Sequence, residues 1–338
     1  MNKKFLIILG ILVIVGVGVF IFIAQSRREV TPPPFSPQAP VAPPVRPSFP
    51  QSITRSQPGY RVDLPKQQFP SSLQTVTYSQ PPSVLPQAIL VANALGLRNQ
   101  PAEIKGSRGT LYTWQQNGET LTVGGEPLEV SYTFYRSSQT PIGTQTINSD
   151  AVAEQFKNRI GLTMPVVLLV KKATALYEPT QAGAKETTNT QVATTQRTDY
   201  NYKIDGYPIY TRYPSIPALS IQTNGDRALE QFNAYWYAGI KKTESIAPII
   251  SYEEATQRLL SGEGALLAFN PKDPPLTDIP QKISVQTSAI TRAELAYYYT
   301  PGNTILAPVF VFYGQGVDTK TNKAVDTLTI VSALPSEH

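Results

Sequence analysis

The chain has 338 residues, 31 prolines, no cysteine and one histidine; 29 basic against 24 acidic residues give a formal net charge of +5. Without cysteine there is no disulfide framework, thiolate zinc site, iron–sulfur cluster or cysteine nucleophile. A Ser-His-Asp triad or a histidine metal centre would have to be built on His338 alone.

The charge is unevenly placed. Residues 1–29 hold Lys3, Lys4, Arg27 and Arg28 against Glu29, so +3 of the +5 lies there and only +2 is spread over the rest. Between these charges runs Phe5–Ala24, which is apolar throughout. At about 1.5 Å per residue it reaches roughly 30 Å, the hydrocarbon thickness of a bilayer. The run predicts a single-pass transmembrane signal-anchor within residues 1–26, with the N-terminus cytoplasmic and the remainder extracytoplasmic at the cell membrane. A cleaved signal peptide is the other reading, because Ala24-Gln25-Ser26 sets small residues at a peptidase site. Both place the rest of the chain outside the cytoplasm. Residues 27–58 follow as a Pro-rich extended linker. Nine of the nineteen residues from Pro32 to Pro50 are proline, and each fixes φ and removes a backbone donor, which favours polyproline II. Residues 59–83 read as an irregular lead-in.

Three segments then show helical spacing: Val84–Leu97, Asp150–Ile160 and Tyr252–Leu260, with Ser149 and Ser251 as N-caps and Glu254 completing a capping box. Strand patterns fill most of the remainder. They run over Thr110–Gln115, Leu121–Val123, Leu128–Tyr135, Val166–Lys171, Tyr200–Ile204, Pro208–Tyr213, Ala218–Gln222 and Arg227–Trp236. Gln281–Val285, Ala289–Tyr299, Ile305–Tyr313 and Val325–Val331 continue them. Short turns such as Asn117-Gly118 and Asp205-Gly206 imply antiparallel pairing. The Thr-rich tract 178–199 reads as a long exposed loop or hairpin tip, dividing a first α+β unit (84–177) from a second (200–334), packed as one body or two. The expected class is α+β, antiparallel β-sheets with a few helices packed on one face.

Chemistry is sparse in this pattern. No phosphate loop, dinucleotide fingerprint, zinc-protease or serine-hydrolase motif is present. Glu253-Glu254 opens a helix, where it complements the macrodipole. Asp318, Lys320, Asn322 and Asp326 outline a calcium loop poorly, since Lys320 replaces an oxygen ligand, and a hairpin turn fits better. Basic residues beyond the N-terminus are scattered, which does not fit nucleic acid. No catalytic, cofactor or metal residue is assigned. The aromatic clusters Tyr235-Trp236-Tyr237 and Tyr297-Tyr298-Tyr299 fit core strands, or a contact surface on which Tyr297 and Tyr299 share a face. Tyr297, Tyr299 and Trp236 are the candidate partner-binding residues.

Over residues 200–315 the order of motifs is specific. Tyr200-x-Tyr202, the turn Asp205-Gly206, Tyr207-Pro208-Ile209 and Asn224-Gly225-Asp226 precede the helix with Glu253-Glu254-Ala255; Ala296–Tyr299 and Ile305–Phe312 follow. This resembles the YycH/YycI type of membrane-anchored regulatory protein and PepSY-like extracytoplasmic modules. The resemblance implies a protein without a catalytic site that acts by contact on an envelope or membrane protein. The expected function is therefore a membrane-anchored, non-enzymatic protein-binding module with a regulatory or scaffolding role, bound to the membrane and to a further protein, with no cofactor. The alternatives are a structural or adhesive surface protein presenting its domain on a stalk, or an envelope enzyme of unknown type.

Overall fold

The computed structural model describes residues 58–336 apart from 80–82, 107–108, 135–139, 144–146, 163, 165, 181–182, 211–216, 227, 238, 272–283 and 301. By internal contacts the chain divides into 1–43 and 44–338, and all described residues belong to the latter. The expected span, within residues 1–26, and the linker up to residue 57 lie outside the described residues.

The strands in chain order begin with β1 (Gly59–Val62), β2 (Ser72–Thr77), β3 (Ala102–Gly106), β4 (Gly109–Gln116), β5 (Glu119–Gly124) and β6 (Leu128–Phe134). Next come β7 (Leu168–Thr180), β8 (Gly183–Thr187), β9 (Thr195–Ile204), β10 (Tyr207–Tyr210), β11 (Leu219–Asn224) and β12 (Leu229–Trp236). The last are β13 (Lys241–Pro248), β14 (Ala265–Pro271), β15 (Val285–Tyr298), β16 (Ile305–Asp318) and β17 (Ala324–Ser332). Helices α1 (Leu85–Leu95), α2 (Ser149–Arg159) and α3 (Tyr252–Leu260) interrupt them.

The strands form one connected sheet with two stretches. In the first, β3–β4–β5–β6–β12–β11–β9–β7–β8 lie side by side, all antiparallel. In the second, β15–β16–β17–β14 are antiparallel, and β1 and β10 lie parallel to β15 on its outer edge. The short strand β10 joins the stretches. Its Tyr207 and Pro208 pair with β9, while Ile209 and Tyr210 pair with β15. Strand β2 pairs with β13 and with the start of β16.

This corrects the expected α+β class. Of the described residues 55% are in strands and 13% in helices, so the fold is mostly β with one large mixed sheet. The expected transmembrane helix has no counterpart there either: among the described residues no helix is long and apolar enough to cross a membrane. The longest have 11 residues, about 16 Å, half the hydrocarbon thickness. For the Thr-rich tract the loop reading is corrected, since β7, β8 and β9 together cover most of it and β7 pairs antiparallel with β8. Threonine is β-branched and suits a strand without needing Leu, Ile or Phe. Nor do the sheets divide at 178–199. Strand β12 pairs with β6 and β9 with β7, across the expected boundary.

The main core lies between the sheet and its helices. Helix α2 sets Phe156 against Phe232 and Tyr132, with ring centroids 4.3 and 5.4 Å apart. Asn148 caps that helix by accepting from the Ala151 amide at 3.1 Å. Ser149, the expected cap, is buried and instead accepts from Gln196 and Thr198 on β9, at 2.7 and 2.9 Å. Ser251 does cap α3 as expected, accepting from the Glu254 amide at 3.1 Å. The Glu254 carboxylate turns to Arg258, 2.7 Å away.

Strand β15 carries apolar side chains on both faces. Ala293, Leu295, Tyr297 and Tyr299 join the main core, whereas Ala296 and Tyr298 join a second cluster with Val309, Val311, Leu328 and Ile330. A bulge between Ile290 and Arg292 shifts the alternation, so Ile290 and Ala293, three apart, share a face.

Candidate functional site

The aromatic candidates sit inside the protein. Tyr297 is 0%, Tyr299 1% and Trp236 7% exposed. Tyr297 and Tyr299 do share a face, as period-two alternation requires, but both faces of β15 are covered. The Tyr297 hydroxyl donates to the Gln74 carbonyl at 2.7 Å and that of Tyr299 to Glu126 at 3.0 Å. Tyr299 also packs edge-on to Tyr78 and Tyr237. These three residues hold the core together and do not offer a surface to a partner.

What the sheet does present is a polar trough of about 680 Å³. It crosses the sheet where β10 passes from one stretch to the other, so strands remote in sequence lie adjacent. Successive strands each contribute residues two apart: Val170 and Lys172, Asn201 and Lys203, Pro208 and Tyr210. Arg292 and Glu294, Tyr313 and Gln315, and Asp326 and Leu328 continue the series. The two-residue period puts each such pair on one face, except in β7, where Lys172 sits at a break in the register.

Bulges adjust both walls. In β7 the register slips between Lys171 and Ala173, so Lys171 and Lys172, adjacent in sequence, both line the trough. In β15 the slip at Thr291 admits Thr291 beside Arg292. A bulge adds one residue to a strand and breaks the alternation of its side chains, and the Lys171 ammonium itself reaches Asp150 of α2.

The floor is a hydrogen-bonded network. Glu294 Oε1 accepts from Tyr210 and, at 2.6 Å, from Tyr313, and the two phenols are 2.8 Å apart. Arg292 lies over the Tyr313 ring, 3.8 Å from its centroid, and its Nη1 is 3.5 Å from Glu294 Oε2. Burial, with the Glu294 carboxylate next, pushes both phenols well above the ordinary tyrosine range, so they stay neutral donors. Beneath them Ser288 and Thr327 hydroxyls are 2.5 Å apart. Gly314 is required there, because a Cβ would come within 2.2 Å of Ser288 Oγ.

Charge on the other wall is less compensated. Lys171 pairs with Asp150 at 3.2 Å. The Tyr200 hydroxyl, 2.6 Å from that carboxylate, is the main cause of its lowered pKa. Lys172 and Lys203 have no ion-pair or hydrogen-bond partner for their ammonium groups among the described residues. The trough thus offers two unclaimed cations facing a wall whose Glu294 is already engaged by Tyr210, Tyr313 and Arg292.

The other acidic features of the sequence are structural. Asp318 binds its own turn, accepting from the Thr321 hydroxyl at 2.6 Å and the Ser284 amide at 3.0 Å. These contacts hold its carboxyl below the usual range. Asp326, which the calcium pattern grouped with it, lines the trough instead. Among the described residues no three His, Asp or Glu side chains gather as a metal site. Glu253 sits at the start of α3, its pKa lowered by the helix-start backbone and then by Lys66. No family model, curated protein or solved structure matches the chain.

Proposed function

We propose that this chain is a non-enzymatic binding module of the cell envelope, working outside the cytoplasm by contact with another protein in a regulatory or scaffolding role. One observation carries the reading: Lys172 and Lys203, unpaired among the described residues, converge on a trough built from rigid strands. Cations held without a carboxylate partner favour an anionic group brought by a second molecule, and fixed strands reduce the ordering cost of binding it. The apolar sequence 5–24 supports placement at a membrane. The motif order over 200–315, similar to the YycH/YycI and PepSY-like modules, supports a contact role.

The test is affinity capture from solubilised envelope with the full chain and its Lys172→Glu/Lys203→Glu variant. Retention of one protein by the parent chain and its loss from an equally folded variant is the expected outcome. Identical recovery by both, or recovery of cell-wall material alone, sinks the reading.

A further inference from the structure

We propose that the trough takes an extended, acidic stretch of polypeptide, with carboxylate side chains seated on Lys172 and Lys203. The inference rests on the protein-binding reading above and adds what the partner must carry.

Charge sets the sign of the ligand. Four cationic and two acidic side chains line the trough. Arg292 is committed to Glu294 and to the Tyr313 ring, and Lys171 to Asp150. Glu294 is engaged at both oxygens, which leaves it little capacity to attract a cation. Asp326 is the second acid of the lining, so against it the two lysines without a partner, Lys172 and Lys203, leave the surplus charge positive.

Spacing favours a chain over a single small anion. Lys203 stands opposite Leu168, and Lys172 lies four residues further along β7. At about 3.3 Å per residue, and with the bulge at Lys172 taking up part of the rise, the two backbones are about 12 Å apart along the strand. An extended polypeptide covers that distance in the same number of residues, so carboxylates four apart reach both lysines. One phosphate or sulfate would have to draw both side chains together.

Backbone favours polypeptide over other polyanions. β1 pairs with β15 as far as Ile290 and β10 begins to pair at Tyr297. Between them the outer edge of β15 has no strand partner among the described residues, and Thr291, Arg292 and Glu294 of this stretch line the trough. A bare strand edge offers main-chain donors and acceptors to an extended chain. Nucleic acid would ask for more phosphate contacts and for exposed rings on which bases stack. Tyr210 is buried and Tyr313 is covered on one face by Arg292.

The experiment is calorimetric titration of the full chain with a short synthetic peptide bearing glutamates four residues apart. Its glutamine counterpart, inorganic phosphate and a galacturonate oligomer are titrated in parallel. The glutamate peptide binds, more weakly as salt rises, and the glutamine peptide is weaker by about tenfold or more. Lys172→Met and Lys203→Met each weaken the glutamate peptide by about fivefold or more, with circular dichroism unchanged. Equal affinity for the glutamine peptide, tighter binding of the galacturonate oligomer or of phosphate, or undiminished binding by the double Met variant overturns the inference. If no peptide binds while charge reversal still abolishes capture of an envelope protein, the acidic-segment inference falls and the protein-contact reading stands.

Discussion

Tyr202 and Tyr237 in the main core and Tyr210 and Tyr313 on the floor of the trough differ in what their hydroxyls do. Tyr202 and Tyr237 lie edge to face, centroids 6.0 Å apart, and neither hydroxyl has a hydrogen-bond partner. Tyr210 and Tyr313 instead donate to the Glu294 carboxylate, their oxygens 2.8 Å apart. In the first group the ring supplies the packing and the hydroxyl is a cost, since an unsatisfied buried hydroxyl forfeits about 1–3 kcal/mol. In the second the hydroxyls are the purpose, because they fix the carboxylate that in turn orients Arg292. Aromatic density marks core in one region and a preorganised polar floor in the other.

Raising the pH tests what the groups share. Burial lifts the phenols of Tyr202, Tyr237, Tyr210 and Tyr313 above their ordinary value of 10.0. The unfolded chain then loses these protons first, and above pH 10 it binds fewer than the folded protein. Stability is therefore independent of these groups below about pH 10 and falls as pH rises beyond it. Urea midpoints at stepped alkaline pH measure this, and a midpoint that stays flat well above pH 10 contradicts it.

Substitutions then separate the groups. Glu294→Ala leaves the phenols of Tyr210 and Tyr313 and the Arg292 guanidinium without their acceptor and lowers stability by about 3 kcal/mol in urea unfolding. Tyr210→Phe removes one donor from a carboxylate that keeps another, for a loss of about 1 kcal/mol. Tyr202→Phe and Tyr237→Phe delete hydroxyls with nothing to bind, so each is neutral or stabilising by up to about 1 kcal/mol. A loss at Tyr237 as large as that at Tyr210 would erase the distinction between the two groups.

Much of the local structure is legible in the residues. The cap Ser251 and the apolar positions of Tyr252–Leu260 define α3 to the residue. Asn117-Gly118 and Asp205-Gly206 have positive φ at both positions, as the hairpins require. Other strands leave no such mark. β3 is exposed along its length and β13 is mostly polar, so neither carries the alternation that betrays a half-buried strand. They are strands because a neighbour's edge pairs with them.

The trough follows the same division. Its two-residue spacing is present in Lys203 with Asn201 and in Arg292 with Glu294, but nothing in the sequence says that these strands meet. The three aromatic candidates fail for a related reason. Alternation predicts that Tyr297 and Tyr299 share a face, and they do, yet whether that face is open depends on what packs over it. By itself the sequence determined caps, turns and side-chain alternation, because these energies act within a few residues. Only the tertiary structure decided that β10 would hand one stretch of sheet to the other, setting Lys203 near Arg292 and burying Tyr299. Those outcomes depend on contacts between segments far apart in the chain, which no local pattern specifies.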